Sequence, residues 1–152
     1  MNSTRVSRHI EAPPSRVYAA LVDASEISQW KFPDDMTIEV HEFEAHEGGR
    51  FRVSLTYNAP NQVGKTTAQS DTYRGYFKEL VPNKRVVEVI EFETSDPAMR
   101  GEMTTTVELL EANGSTQLTA LHEGLPPAVS PADNETGWNM ALGKLARLVE
   151  AN

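Results

Sequence analysis

"SPADNETGWNMALGKLARLVE", residues 130–150, decides how the rest of the chain is read. Ser130 is a good N-cap, Pro131 stands at the first helical position, and Asp133 and Glu135 follow near the positive end of the helix dipole. Trp138, Ala141, Leu142, Leu145, Leu148 and Val149 then recur at three- to four-residue spacing, with Lys144 and Arg147 toward the negative end. A stripe that long must be buried against something. The broadest partner the chain can offer is a sheet.

The preceding residues supply one. "TRVSRHIEA" (4–12) alternates, with Val6 and Ile10 on one side, and is predicted as a strand. The period then changes: Val17, Tyr18, Leu21 and Val22 form a helical face after Pro13-Pro14, and "ASEISQW" continues as a short second helix ending near Trp30. Strands are predicted over 37–45, 49–57, 71–81, 85–93, 101–111 and 115–123. In 49–57 Phe51, Val53, Leu55 and Tyr57 alternate cleanly with Arg50, Arg52, Ser54 and Thr56. "PNK" and "ANG" are hairpin connections, and "NAPNQVGKTTAQS" (58–70) is a long polar loop. The order is strand, two helices, six strands, long helix. It predicts an α+β fold with a curled antiparallel sheet of six to seven strands around the C-terminal helix and a cavity between them.

Bulk properties narrow the function. The 152 residues suit one domain, 1–152, and 39% apolar with 24% charged residues suits a globular chain. A net charge of −8 without a basic stripe disfavours nucleic acid and anionic membranes as partners. No apolar run is long enough to insert in a bilayer, and "MNSTRVSRHIEAPP" lacks a signal-peptide core, so a cytoplasmic location is expected. With no cysteine, disulfides, thiolate metal sites and cysteine nucleophiles are excluded.

The tripeptide His-Glu-Gly occurs twice, at 46–48 and 122–124. A zinc helix needs a second histidine four residues on, but Arg50 and Pro126 stand there. In a strand, His and Glu point to opposite faces, so no metal site is expected. His122 alone shares its face with Leu118 and Ala120, which makes it either a structural histidine or a polar group at a cavity mouth. Arg8 and Glu88 fall in phase with apolar neighbours; they pair with each other, orient a ligand, or end up in solvent through a shift of strand phase at a bulge near Gly75.

Several strings resemble a known family. "EAPPSRVYAALVDASEISQW" resembles the start of the START-like (SRPBCC, Bet v 1-like) helix-grip superfamily. "HEGGRFRV", "YRGYFKELVPNKRVV" and "TQLTALHEGLPPAVSPADNETGWNMALGKLARLVE" resemble its bacterial single-domain relatives of the Hsp90 ATPase activator C-terminal domain, the AHSA1-like group. The resemblance implies a helix-grip fold that binds a small hydrophobic or amphipathic ligand, without a cofactor. Candidate ligand-binding residues are Trp30, Phe51, Val53, Tyr73, Phe77, Ile90, His122, Trp138 and Leu142, with Tyr57 and Phe92 as further aromatic walls; for each aromatic, core packing is the competing role. A polyketide cyclase- or lyase-type enzyme moving protons with His122 or Glu88 is the rival reading, although no catalytic constellation is evident. A chaperone contact is a weaker expectation, and a homodimer through an exposed edge strand is compatible with the pattern.

Overall fold

Burial of alternate strand residues on one face organises the chain, in a computed structural model that describes residues 2–58 and 70–151. The polar loop expected at 58–70 lies, except for its two ends, outside the described residues. Among those residues seven strands form one antiparallel sheet: β1 (Ser3–Ile10), β2 (Met36–Phe43), β3 (Arg50–Tyr57), β4 (Ser70–Val81), β5 (Arg85–Phe92), β6 (Met103–Ala112) and β7 (Ser115–Glu123). Their spatial order is β1-β7-β6-β5-β4-β3-β2, so the first strand and the second are the two edges. Helices α1 (Pro14–Leu21) and α2 (Ala24–Trp30) follow β1, and α3 (Pro131–Glu150) closes the chain. This is the α+β arrangement that the alternation and the C-terminal stripe predict, and the helix-grip fold that the family resemblance implies.

Local chemistry places the helices. Asp23 caps α2 by accepting from the backbone N–H groups of Ser25 at 2.8 Å and Glu26 at 3.2 Å. Arg16 grips Glu26 through two bonds of 2.8 and 3.1 Å, which fixes α1 against α2. Ser130 caps α3, its hydroxyl accepting from Asp133 N–H at 3.2 Å.

The sheet curls because β2 bulges between Val40 and Glu42, and β4 between Phe77 and Glu79. The bulge in β4 is therefore at Lys78, three residues beyond the Gly75 position that the sequence suggests. Gly75 serves a different purpose. It pairs with Phe51 on one side and Ile90 on the other. A Cβ there would stand 2.0 Å from Val89 O and 3.0 Å from the tip of the Phe51 ring. The missing side chain lets Phe51 lie over the strand and meet Phe77 edge-on at 5.1 Å and Tyr73 at 6.3 Å. Phe43 completes this cluster, 5.4 Å from Phe77.

Gly75→Ala is therefore expected to destabilise the protein by about 3 kcal/mol, because backbone has to move. Gly137→Ala on α3, where the nearest atom to an added Cβ is Pro33 Cγ at 3.7 Å, should instead be neutral or stabilising by up to about 1 kcal/mol. Urea unfolding of the two variants beside the parent measures both.

Candidate functional site

The inner face of the sheet carries an apolar surface crossed by one polar row. Antiparallel register sets Thr4 opposite His122, His122 opposite Thr105, Thr105 opposite Glu88, and Glu88 opposite Phe77. Thr4, His122, Thr105 and Glu88 are all buried. Buried polar groups must find partners, and these do. Thr4 donates to Pro131 O at 3.4 Å, and Thr105 donates to Glu88 Oε1 at 3.4 Å.

The strongest partner comes from outside the sheet. Lys31, the residue that ends α2, donates to Glu88 Oε1 at 2.9 Å and Oε2 at 3.1 Å. Burial opposes the charge on Lys31, yet the Glu88 carboxylate, the neighbouring Tyr73 and the hydrogen bond to Glu88 outweigh it and raise its pKa. Burial, helped by Glu88 and opposed by Lys31, raises that of the Tyr73 phenol.

His122 meets α3. Trp138 Nε1–H donates to its Nδ1 at 3.0 Å, with the rings edge to face at 6.1 Å. The neutral imidazole must then carry its proton on Nε2, which points to Met103 Sδ at 3.2 Å. Burial, with a smaller contribution from the Lys31 charge, lowers its pKa to about 4.

Between this row, the sheet and α3 lies a cavity of about 570 Å³. Its floor includes Leu55, Tyr73, Ile90, Met103 and Thr105; its roof runs through Leu125, Val129 and the first half of α3 to Ala141; Lys31, Phe32 and Pro33 form one wall. Lys144 of α3 holds that wall by donating to Phe32 O at 2.8 Å and to the Asp34 carboxylate. It thus ties helix to loop, beyond the dipole role expected from its position.

Of the nine candidate ligand-binding residues, Tyr73, Ile90, His122 and Trp138 line this cavity. Trp30, Phe51, Val53, Phe77 and Leu142 do not; each is buried in the core. Trp30 turns inward because its indole N–H reaches Ala20 O at 2.9 Å, while the next residue, Lys31, takes the cavity position. Phe51 and Phe77 are spent on the cluster over Gly75. Tyr57 and Phe92, the further aromatic walls, also line the cavity.

Arg8 and Glu88 do not pair with each other. Glu88 is buried against Lys31, whereas Arg8 is exposed at the β1 edge, its guanidinium beside Gly143 of α3. No phase shift is responsible, since the β1–β7 register is unbroken. The two His-Glu pairs do not converge on a common point. His46 is exposed and Glu47 accepts from Leu80 N–H, while His122 faces inward and Glu123 is half-buried on the opposite face.

Residues 11–150 match the family model "Activator of Hsp90 ATPase homolog 1-like protein", and the chain belongs to that family. A protein from Chromobacterium violaceum is similar in structure, with 32% identity, a TM-score of 0.87, and 98% of this chain and 97% of that one covered. A Rhodobacter sphaeroides protein shares the fold at 22% identity and a TM-score of 0.80, over 99% of this chain and 93% of that one. DynU16, from the dynemicin biosynthetic locus, shares the fold at 21% identity and a TM-score of 0.67; the alignment spans 99% of this chain but 48% of DynU16. A search of curated proteins returns no match. No described helix is long and apolar enough to cross a membrane.

Two measurements check these electrostatics. Because the His122 pKa is lower folded than unfolded, the unfolded chain takes the proton first. Stability should fall as pH drops below about 6.5 and level off below about 4. The loss is up to about 3 kcal/mol, and the difference between parent and His122→Gln in pH-dependent unfolding isolates it. Lys31→Met should cost about 3 kcal/mol by stranding the Glu88 carboxylate, and Lys31→Met/Glu88→Leu should recover most of that loss in the same assay.

Proposed function

We propose that this protein binds a small, mostly hydrophobic molecule in the cavity between the sheet and α3. The observation that carries the reading is the cavity itself. About 570 Å³ lies within the range of small-molecule sites, and it combines apolar and aromatic walls with a few converging polar groups. Membership of a family with the helix-grip fold agrees with this reading. The cavity floor belongs to a sheet bonded on both sides, so the site is largely formed before a ligand arrives.

Ala141→Phe places a ring where a buried alanine now lines the cavity. The variant should fold, since the added volume has empty space to enter. Thermal shift against a library of apolar and aromatic compounds should give hits for the parent that Ala141→Phe loses. Hits unaffected by Ala141→Phe place binding elsewhere and remove the proposal.

A further inference from the structure

We infer that His122, through its Nε2–H, selects the ligand, and that the ligand carries an uncharged, carbonyl-type oxygen on an apolar body. The inference rests on the cavity being the binding site.

The donors along the polar row differ in what already holds them. Lys31 is engaged by both oxygens of Glu88, at 2.9 and 3.1 Å, and the Thr105 hydroxyl gives its proton to the same carboxylate. Thr4 is turned to Pro131 O. The Trp138 N–H is spent on His122 Nδ1. That bond fixes the ring, so the remaining proton is held on Nε2 and aimed along one direction. Its partner there is Met103 Sδ at 3.2 Å. A thioether is a weak acceptor, on a side chain that repacks readily. Both His122 and Met103 line the cavity. A carbonyl oxygen that displaced the sulfur would exchange a weak hydrogen bond for an ordinary one.

The neighbours specify the charge. Lys31 is matched by Glu88. Among the described residues, the other charged groups lining the cavity are the carboxylates of Asp35, Asp71 and Asp133. An arriving carboxylate would therefore be buried without a cation of its own, while an ammonium has no lone pair to accept the Nε2–H. A neutral acceptor carries no such cost. Its apolar body would lie over Ile90, Met103 and the Trp138 ring.

Four probes with one naphthalene body test this: acetylnaphthalene, ethylnaphthalene, naphthoate and naphthylmethylammonium. Titration calorimetry gives affinity, and the Trp138 indole N–H resonance reports engagement at His122. Acetylnaphthalene should bind about tenfold tighter than ethylnaphthalene, the worth of one hydrogen bond, and tighter than either charged probe. The acetyl-to-ethyl preference should collapse toward unity in His122→Phe. It should widen several-fold in Met103→Leu, where the sulfur no longer competes. The Met103→Leu arm stands if His122→Phe does not fold. Equal binding of the acetyl and ethyl probes overturns the donor assignment while leaving the cavity as the site. A preference for naphthoate or the ammonium probe overturns the charge argument. Absence of binding by all four overturns this inference; hits from the compound library blocked by Ala141→Phe would still sustain the cavity reading.

Discussion

The concave face of the sheet has to be covered, and α3 covers only part of it. From Ala141 onward the helix is gripped: Ala141, Leu142, Leu145, Ala146 and Val149 are buried, and the packing is chiefly on β1, α1 and α2. Before Ala141 no residue of the helix is buried, and this half roofs open space. One element thus does two jobs along its length. The second half supplies the hydrophobic driving force that holds the fold. The first half can stand off from the sheet because Trp138–His122 near the helix middle and Lys144–Phe32, nearly two turns later, hold it in place.

Standing off leaves part of the inner face bordering the cavity, and the polar row is where that matters. Glu88, Thr105 and His122 sit on three adjacent strands at the same height, so a single register places them together. None is left to solvent for its main partner: Lys31 answers Glu88, Glu88 answers Thr105, and Trp138 answers His122. A network satisfied from within keeps its geometry whether or not a ligand is present. The contribution to stability is a separate matter, since a buried ion pair of this kind gains little over well-packed apolar residues.

How much of this could be read from the sequence divides along the range of the interactions. The helices, the strands, the hairpins at Asn83 and Asn113 with their positive φ, and the inward turn of His122 all follow from local period and turn chemistry. Cavity walls do not. Trp30 and Lys31 are neighbours at a helix end, and only the packing of α2 decides that the indole goes to the core and the ammonium to the cavity. Phe51 and Phe77 have the alternation of wall residues, but the space at Gly75 draws them into an aromatic cluster. Met103 and Thr105 gave no local signal at all; they matter because β6 lies between β5 and β7. Arg8 shows the converse. Its phase is inward, yet an edge strand leaves it a route to solvent.

The same geometry bears on whether the site transfers protons or only recognises. A general base needs an unengaged lone pair and a pKa near the working pH. His122 meets neither condition: Nδ1 already accepts from Trp138, and burial with the nearby Lys31 charge holds the ring neutral down to about pH 4. Both oxygens of Glu88 accept from Lys31, so taking a proton there means breaking a buried pair first. On the polar row itself, what remains is a donor, the His122 Nε2–H, held only by the weak acceptor Met103 Sδ, in a ring whose tautomer and orientation are fixed from α3. A neutral, oriented donor beside a charge-balanced pair suits holding a polar group of an otherwise apolar molecule better than moving protons on it.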